Sequence, residues 1–213
     1  MNNIYKNISK IKEARKLLKL KFSDNCDFED EISKYEDEHK ESILHMIRCS
    51  ENARYFARYL AYDESRIELI STCALLHDVG KLDIDPKVLY KVGKLTDEEW
   101  AIIKNHPNVK GIEKIGLSEE IVDSILYHHH RVSDYSKINI NSVVKIISLL
   151  DSFDAMSYIR CYKHNIMTLD EVVEEIKKNM GTQFDVYYGG QFIKYLESTY
   201  FATSRFYGKN IFN

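Results

Sequence analysis

Along residues 42–60 the apolar side chains Ile43, Leu44, Ile47, Phe56, Tyr59 and Leu60 return at steps of three and four. That spacing places them on one face of an α-helix. Segments 66–78, 97–105, 119–130, 142–158, 169–180 and 190–198 carry the same period. No stretch alternates apolar and polar residues as a half-buried strand does, and no internal repeat is present. Two prolines, Pro86 and Pro107, and eight glycines leave few breakers. Thr96 with Glu99, and Thr168 with Glu171, have the spacing of a capping box. Gly181 is placed to end the helix before it. These signals predict an all-α fold.

Composition narrows the class. A chain of 213 residues, 44% hydrophobic and 30% charged, fits one domain with or without a small appendage. The formal net charge of -3 gives no reason to expect DNA or RNA as partner. Cys26, Cys49, Cys73 and Cys161 form no CxxC pair and read as reduced thiols. No secretory leader and no apolar run near the ~20 residues of a membrane span are visible. A cytoplasmic protein without a transmembrane segment is expected.

The first forty residues stand apart as an N-terminal extension. Residues 1–21 hold seven Lys/Arg against one Glu, and residues 22–41 hold nine Asp/Glu against two Lys. Ile4, Ile8, Ile11, Leu17 and Leu18 suggest an amphipathic helix in the basic part. Its simplest reading is a helix packed on its own domain with its lysines in water. A basic amphipathic helix also suits a membrane surface or a partner. The acidic stretch reads as a solvated connector. At the other end, an aromatic tail spans 199–213. It suits packing on the domain or on a second copy, which would make a homodimer.

Several positions carry chemistry. ALLHDVGK, residues 74–81, ends an apolar helix in His77 and Asp78. Adjacent helical residues diverge by about 100°. That divergence suits a helix skirting a metal cluster, with the carboxylate bridging, although an ordinary helix C-terminus also takes a His and a Lys. Glu41 and His45 are four apart and share a helical face. His106 precedes Pro107, His128 and His129 follow the apolar ILY, and Asp151 ends the run VVKIISLL. Each alone reads as structural. Together they are five histidines and three carboxylates on separate helices, a donor set suited to Fe, Mn or Zn rather than Ca or Mg.

The order H…HD…H…HH…D resembles the HD superfamily of metal-dependent phosphohydrolases, and within it the HD-GYP branch. ALLHDVGKLDI resembles the HDIGK helix end of that branch. KVGKLTDEEWAIIKNHP resembles its KPGKLTxEEWxxMKxHP segment. ILYHHHR resembles its paired-histidine helix, LLDSFDAM its DxFDAL segment, and GTQFD its GTxFDP. The likeness runs from about residue 41 to about 195. The chain departs from the branch after His130, where VSDYSKINI replaces the GYP loop and only Tyr135 is left of it.

The resemblance implies an HD-domain bundle of about seven helices over residues 41–198, following the extension at 1–40. It implies two or three divalent ions, Fe or Mn. Asp78 would bridge two of them, with His45, His77 and Asp151 on one and His106 and His128 on the other. Glu41 and His129 match the ligands of a third ion in some relatives. A metal-bridging hydroxide would attack phosphorus in line. Asp78 and Lys81 would form the catalytic core, with Lys81, Arg160 and Lys163 gripping phosphate. The implied substrate is a cyclic dinucleotide, cyclic di-GMP cut to pGpG or GMP. The alternatives are a phosphohydrolase for another nucleotide and a non-catalytic metal-binding signalling protein. Partner signalling proteins are the expected source of regulation.

Overall fold

The computed structural model describes residues 38–114, 116–135, 138–158 and 166–207. These residues form eight α-helices: α1 (Lys40–Tyr59), α2 (Glu64–Leu76), α3 (Pro86–Leu89), α4 (Asp97–Lys104), α5 (Glu119–Tyr127), α6 (Ser142–Ser157), α7 (Leu169–Asn179) and α8 (Val186–Tyr207). Short 3-10 turns cover Val79–Asp83, Ile112–Lys114 and Val132–Asp134. The only β pairing among the described residues is a single bridge between Met180 and Phe184. The chain is all-α, as its periodicity predicts. No described helix is long and apolar enough to cross a membrane. The basic helix and most of the acidic connector expected at residues 1–37 lie outside the described residues, as do Arg160 and Lys163.

Each of the seven periodic segments is a helix. Thr96 and Thr168 close the two capping boxes, their hydroxyls accepting from Glu99 N at 3.2 Å and Glu171 N at 3.3 Å. Gly181 takes a φ of 79° just past α7, a conformation that glycine adopts without steric cost. Helix α8 starts earlier than its pattern suggests. Asp185 accepts from the amides of Tyr187 and Tyr188 at 3.0 and 3.2 Å, which starts the helix ahead of Gly189 and Gly190. The α8 backbone runs on to Tyr207, through the first part of the expected tail. Helix α3 has only four residues, too few to show a period.

Two apolar clusters hold the bundle. The larger joins α1, α2, α6, α7 and α8 around Phe56, Ile146, Ile176 and Phe192. Phe56 and Phe192 meet edge to face at 4.9 Å, and Phe153 meets Phe192 at 5.1 Å. The smaller cluster joins Ile43, Met46 and Ile47 of α1 to Leu75, Leu76, Val79, Leu82, Ile112 and Ile125. Small residues let α1 and α2 approach closely, where Ser50 Oγ donates to Ser71 O at 2.9 Å. His45, His77 and Asp78 are interleaved with members of the smaller cluster, so its packing fixes where their side chains go.

Gly80, in the 3-10 turn after His77 and Asp78, touches the segment that carries His106. A Cβ at Gly80 would lie 2.0 Å from the backbone oxygen of His106 and 3.0 Å from Val109 Cγ2. No rotamer change relieves a contact with backbone. Gly80→Ala is therefore expected to lower stability by about 1–3 kcal/mol, the usual cost of overpacking. Denaturant unfolding at unchanged m-value reads the shift. A midpoint equal to that of the parent would refute the close approach.

Candidate metal centre

Asp78 stands at the middle of the buried polar cluster. Its Oδ2 lies 3.3 Å from His45 Nε2 and 3.5 Å from His77 Nε2. Its Oδ1 lies 3.0 Å from His106 Nε2 and 3.5 Å from His128 Nε2. One carboxylate thus faces two pairs of imidazoles, one pair per oxygen. Asp151 Oδ1 joins the first pair, 3.1 Å from His45 Nε2 and 3.9 Å from His77 Nε2. His129 joins the second. Its ligand atom and those of Asp78, His106 and His128 all fall within 4.8 Å of one another.

Local structure determines which ring nitrogen faces inward. The last carbonyls of a helix have no intrahelical partner. His77, His106 and His128 each sit at or just beyond a helix end and use one. His77 Nδ1 donates to Ala74 O at 2.7 Å, and His106 Nδ1 to Ile103 O at 2.7 Å. His128 Nδ1 is 3.0 Å from both Ser124 O and Ile125 O. A carbonyl only accepts, so each Nδ1 carries a proton and each ring turns its Nε2, the lone-pair nitrogen of that tautomer, inward.

His45 lies inside α1, where the backbone carbonyls are already engaged. A side chain performs the same task. His45 Nδ1 donates to Asp154 Oδ2 at 2.6 Å. Arg48 clamps that carboxylate, Nε to Oδ1 at 2.7 Å and a terminal nitrogen to Oδ2 at 2.9 Å. The Arg48 guanidinium also lies over the Tyr158 ring at 4.4 Å. Burial opposes the charge on Asp154, but Arg48 and His45 outweigh it and hold the carboxyl below its ordinary value.

Four inward lone pairs and two carboxylates repel one another unless positive charge lies between them. His77 Nε2 and Asp78 Oδ1 are buried and have no hydrogen-bond partner among the described residues. His106 Nε2 approaches Asp78 Oδ1, but its ring proton is on the other nitrogen. Protons are one remedy. Burial resists it at His128, whose imidazole is held below its ordinary value. At His45 burial also opposes the charge, but hydrogen bonds to Asp151, Asp154 and Asp78 raise the imidazole well above it. Divalent cations are the other remedy. Two ligands each about 2.1 Å from one ion lie about 3.0–3.4 Å apart at ordinary coordination angles. The shortest contacts here, 3.0, 3.1 and 3.3 Å, have that spacing. The residues fit two ions sharing Asp78.

The other expected positions fall as follows. Glu41 belongs to neither ligand set; it lines a cavity of 440 Å³ that His45 and Lys81 also line. Lys81 Nζ hydrogen-bonds to Asp78 Oδ2. Burial opposes the charge on Asp78, but the Lys81 ammonium beside it holds its carboxyl well below the usual range. His130 stacks edge-on against Tyr127 at 5.2 Å. Tyr135 lies under Lys145 Nζ at 5.0 Å, and its segment is tied down by Val132 N donating to Thr182 O at 3.1 Å. The sequence signals pass over the Arg48–Asp154 pair that orients His45. The SFDA stretch places Asp154 three residues after Asp151, but only the fold brings Arg48 to it.

The HD domain family matches residues 43–156, and the chain belongs to that family. The cyclic di-GMP phosphodiesterase response regulator RpfG of Xanthomonas campestris is 32% identical over 149 residues, covering 65% of this chain and 39% of that protein. A cyclic di-GMP phosphodiesterase of Thermotoga maritima is 32% identical over 163 residues, covering 70% of this chain and 43% of that protein. A 3'3'-cGAMP-specific phosphodiesterase of Vibrio cholerae is 29% identical over 157 residues, covering 68% and 30%. The chain thus spans well under half the length of these relatives. An HDG"Y"P protein from Bdellovibrio bacteriovorus shares the fold with a TM-score of 0.55 at 14% identity, covering 73% of this chain and 52% of that one.

Asp154→Ala would leave both His45 Nδ1–H and the Arg48 guanidinium without their buried carboxylate. It is expected to weaken manganese affinity about 10–100-fold, the usual effect of losing an outer-shell carboxylate. Competition against a chelator measures it. Affinity within twofold of the parent would show that His45 needs no such support.

Proposed function

We propose that this chain is a metal-dependent phosphodiesterase that hydrolyses a cyclic dinucleotide, cyclic di-GMP in the first instance. The observation that carries the proposal is Asp78 facing two imidazole pairs, one through each oxygen. That arrangement suits two neighbouring divalent ions, Fe or Mn by its mixed imidazole and carboxylate donors. His45, His77, Asp78 and Asp151 would hold one, and Asp78, His106, His128 and His129 the other. Such ions supply Lewis acidity at phosphoryl oxygens and lower the pKa of a bound water. The printed names of the relatives support a cyclic dinucleotide as substrate.

The protein's own groups have distinct tasks. Asp154 and Arg48 hold the His45 ring in register. Lys81 bonds Asp78 and lines the adjoining cavity, so its ammonium is placed to meet an anionic substrate beside the metal centre. Arg160 and Lys163, three apart in sequence, are proposed as further phosphate contacts. Glu41 is kept as the proposed ligand, with His129, of a third ion. After His130 the chain has VSDYSKINI in place of the GYP loop, with only Tyr135 left of it. That difference makes 3'3'-cGAMP the second substrate to test.

Protein loaded with manganese or iron and incubated with cyclic di-GMP should release pGpG or GMP. Cleavage of a generic bis-aryl phosphate alone would point to another nucleotide, and bound metal without turnover to a binding role. Asp78→Ala should lose both metal and hydrolysis; unchanged metal content by elemental analysis would refute the bridging role. Lys81→Ala should keep its metal while hydrolysis slows about 10-fold or more, the scale of one lost charge contact to the reacting group. Metal loss in that variant would mean that Lys81 supports the ligands instead.

A further inference from the structure

Helix α4 exposes the chain's one tryptophan. Trp100 is 49% exposed, so about half of its surface is open to solvent. It lines the 440 Å³ cavity together with Tyr90, Leu95 and Ile103, and the same cavity is walled by His45 and Lys81 of the metal centre. The volume lies in the range of small-molecule sites, which combine apolar walls with a few polar groups. Tyr90 is held in place by its hydroxyl, 2.7 Å from Ser42 Oγ. Lys104 Nζ lies 5.2 Å from the Trp100 ring centre, and Thr96 caps the helix that carries the ring.

We infer that this cavity is the base pocket of the substrate, in which Trp100, with Tyr90, stacks against one purine while the adjoining phosphodiester lies at the metal centre. The inference rests on the phosphodiesterase reading. Its physical reason is simple. The ligand cluster recognises only phosphate, which every nucleotide carries. An apolar cavity opening from that cluster can take the uncharged, flat part of the same molecule. Aromatic rings reward any base face that is offered to them, about tenfold or more in affinity per stacked base.

Because Trp100 is the sole tryptophan, its fluorescence reports on this pocket alone. GMP added to the manganese-loaded protein should quench the emission saturably, whereas ribose 5-phosphate, which lacks the base, should not. Trp100→Ala should weaken GMP binding at least tenfold by calorimetry with metal content unchanged, and Trp100→Phe should bind within about threefold of the parent. Equal quenching by ribose 5-phosphate overturns the inference. So does GMP binding without quenching, no GMP binding at all, or undiminished affinity in Trp100→Ala. Turnover of cyclic di-GMP is scored separately. Quenching without turnover defeats the phosphodiesterase reading and leaves the pocket standing, and turnover without quenching does the reverse.

Discussion

Buried lone pairs need a cation, and much of this molecule is arranged around that need. Four imidazole nitrogens turn toward two carboxylates in a space walled largely by apolar packing. Such a cluster is unstable in itself, because burying polar groups without partners costs free energy. It persists because α1, α2 and α6 pack into a common core that leaves the side chains no other direction. A donor set that mixes imidazole and carboxylate suits ions that accept nitrogen and oxygen together better than an ion that prefers oxygen alone.

Two different devices present those nitrogens. At helix ends the backbone does it: a last-turn carbonyl takes the Nδ1 proton of His77, His106 and His128 and leaves Nε2 to face inward. Inside α1 no free carbonyl exists, so His45 depends on Asp154, and Asp154 on Arg48. The first device is inexpensive and local. The second needs two charged groups buried together, and a buried pair is favourable only when its hydrogen bonds are complete. Here they are: the carboxylate accepts from one imidazole and twice from one guanidinium. Cys49 packs beside the same ring at 3.6 Å as a neutral thiol, which burial pushes up.

This difference explains what could be read from the sequence. The helices were legible because apolar period and capping residues are local, and the ligands because His and Asp bring their chemistry with them. The short α3 had no period to show. The Arg48–Asp154 pair spans 106 residues, so no spacing rule connects its members. Glu41 shares a helical face with His45, and the fold adds that it lines a cavity together with His45 and Lys81, which spacing alone does not announce. The cavity itself was invisible for the same reason as the Arg48–Asp154 pairing. Tyr90, Trp100, Lys81 and His45 come from four separate stretches, and nothing but the tertiary structure puts them side by side.

Lys81 ties these parts together. Its ammonium bonds Asp78, the carboxylate that faces four imidazoles. Divalent ions would answer the same electrostatic demand several times over, and the hold of Asp78 on Lys81 would weaken accordingly. The ammonium already lines the cavity that adjoins the cluster. From Asp78 the flexible stem of Lys81 reaches the cavity without any large movement of the fold. Rigid ligands and one adaptable cation are therefore a coherent division of labour: the helix ends fix the nitrogens, and Lys81 offers positive charge to both the carboxylate and the cavity.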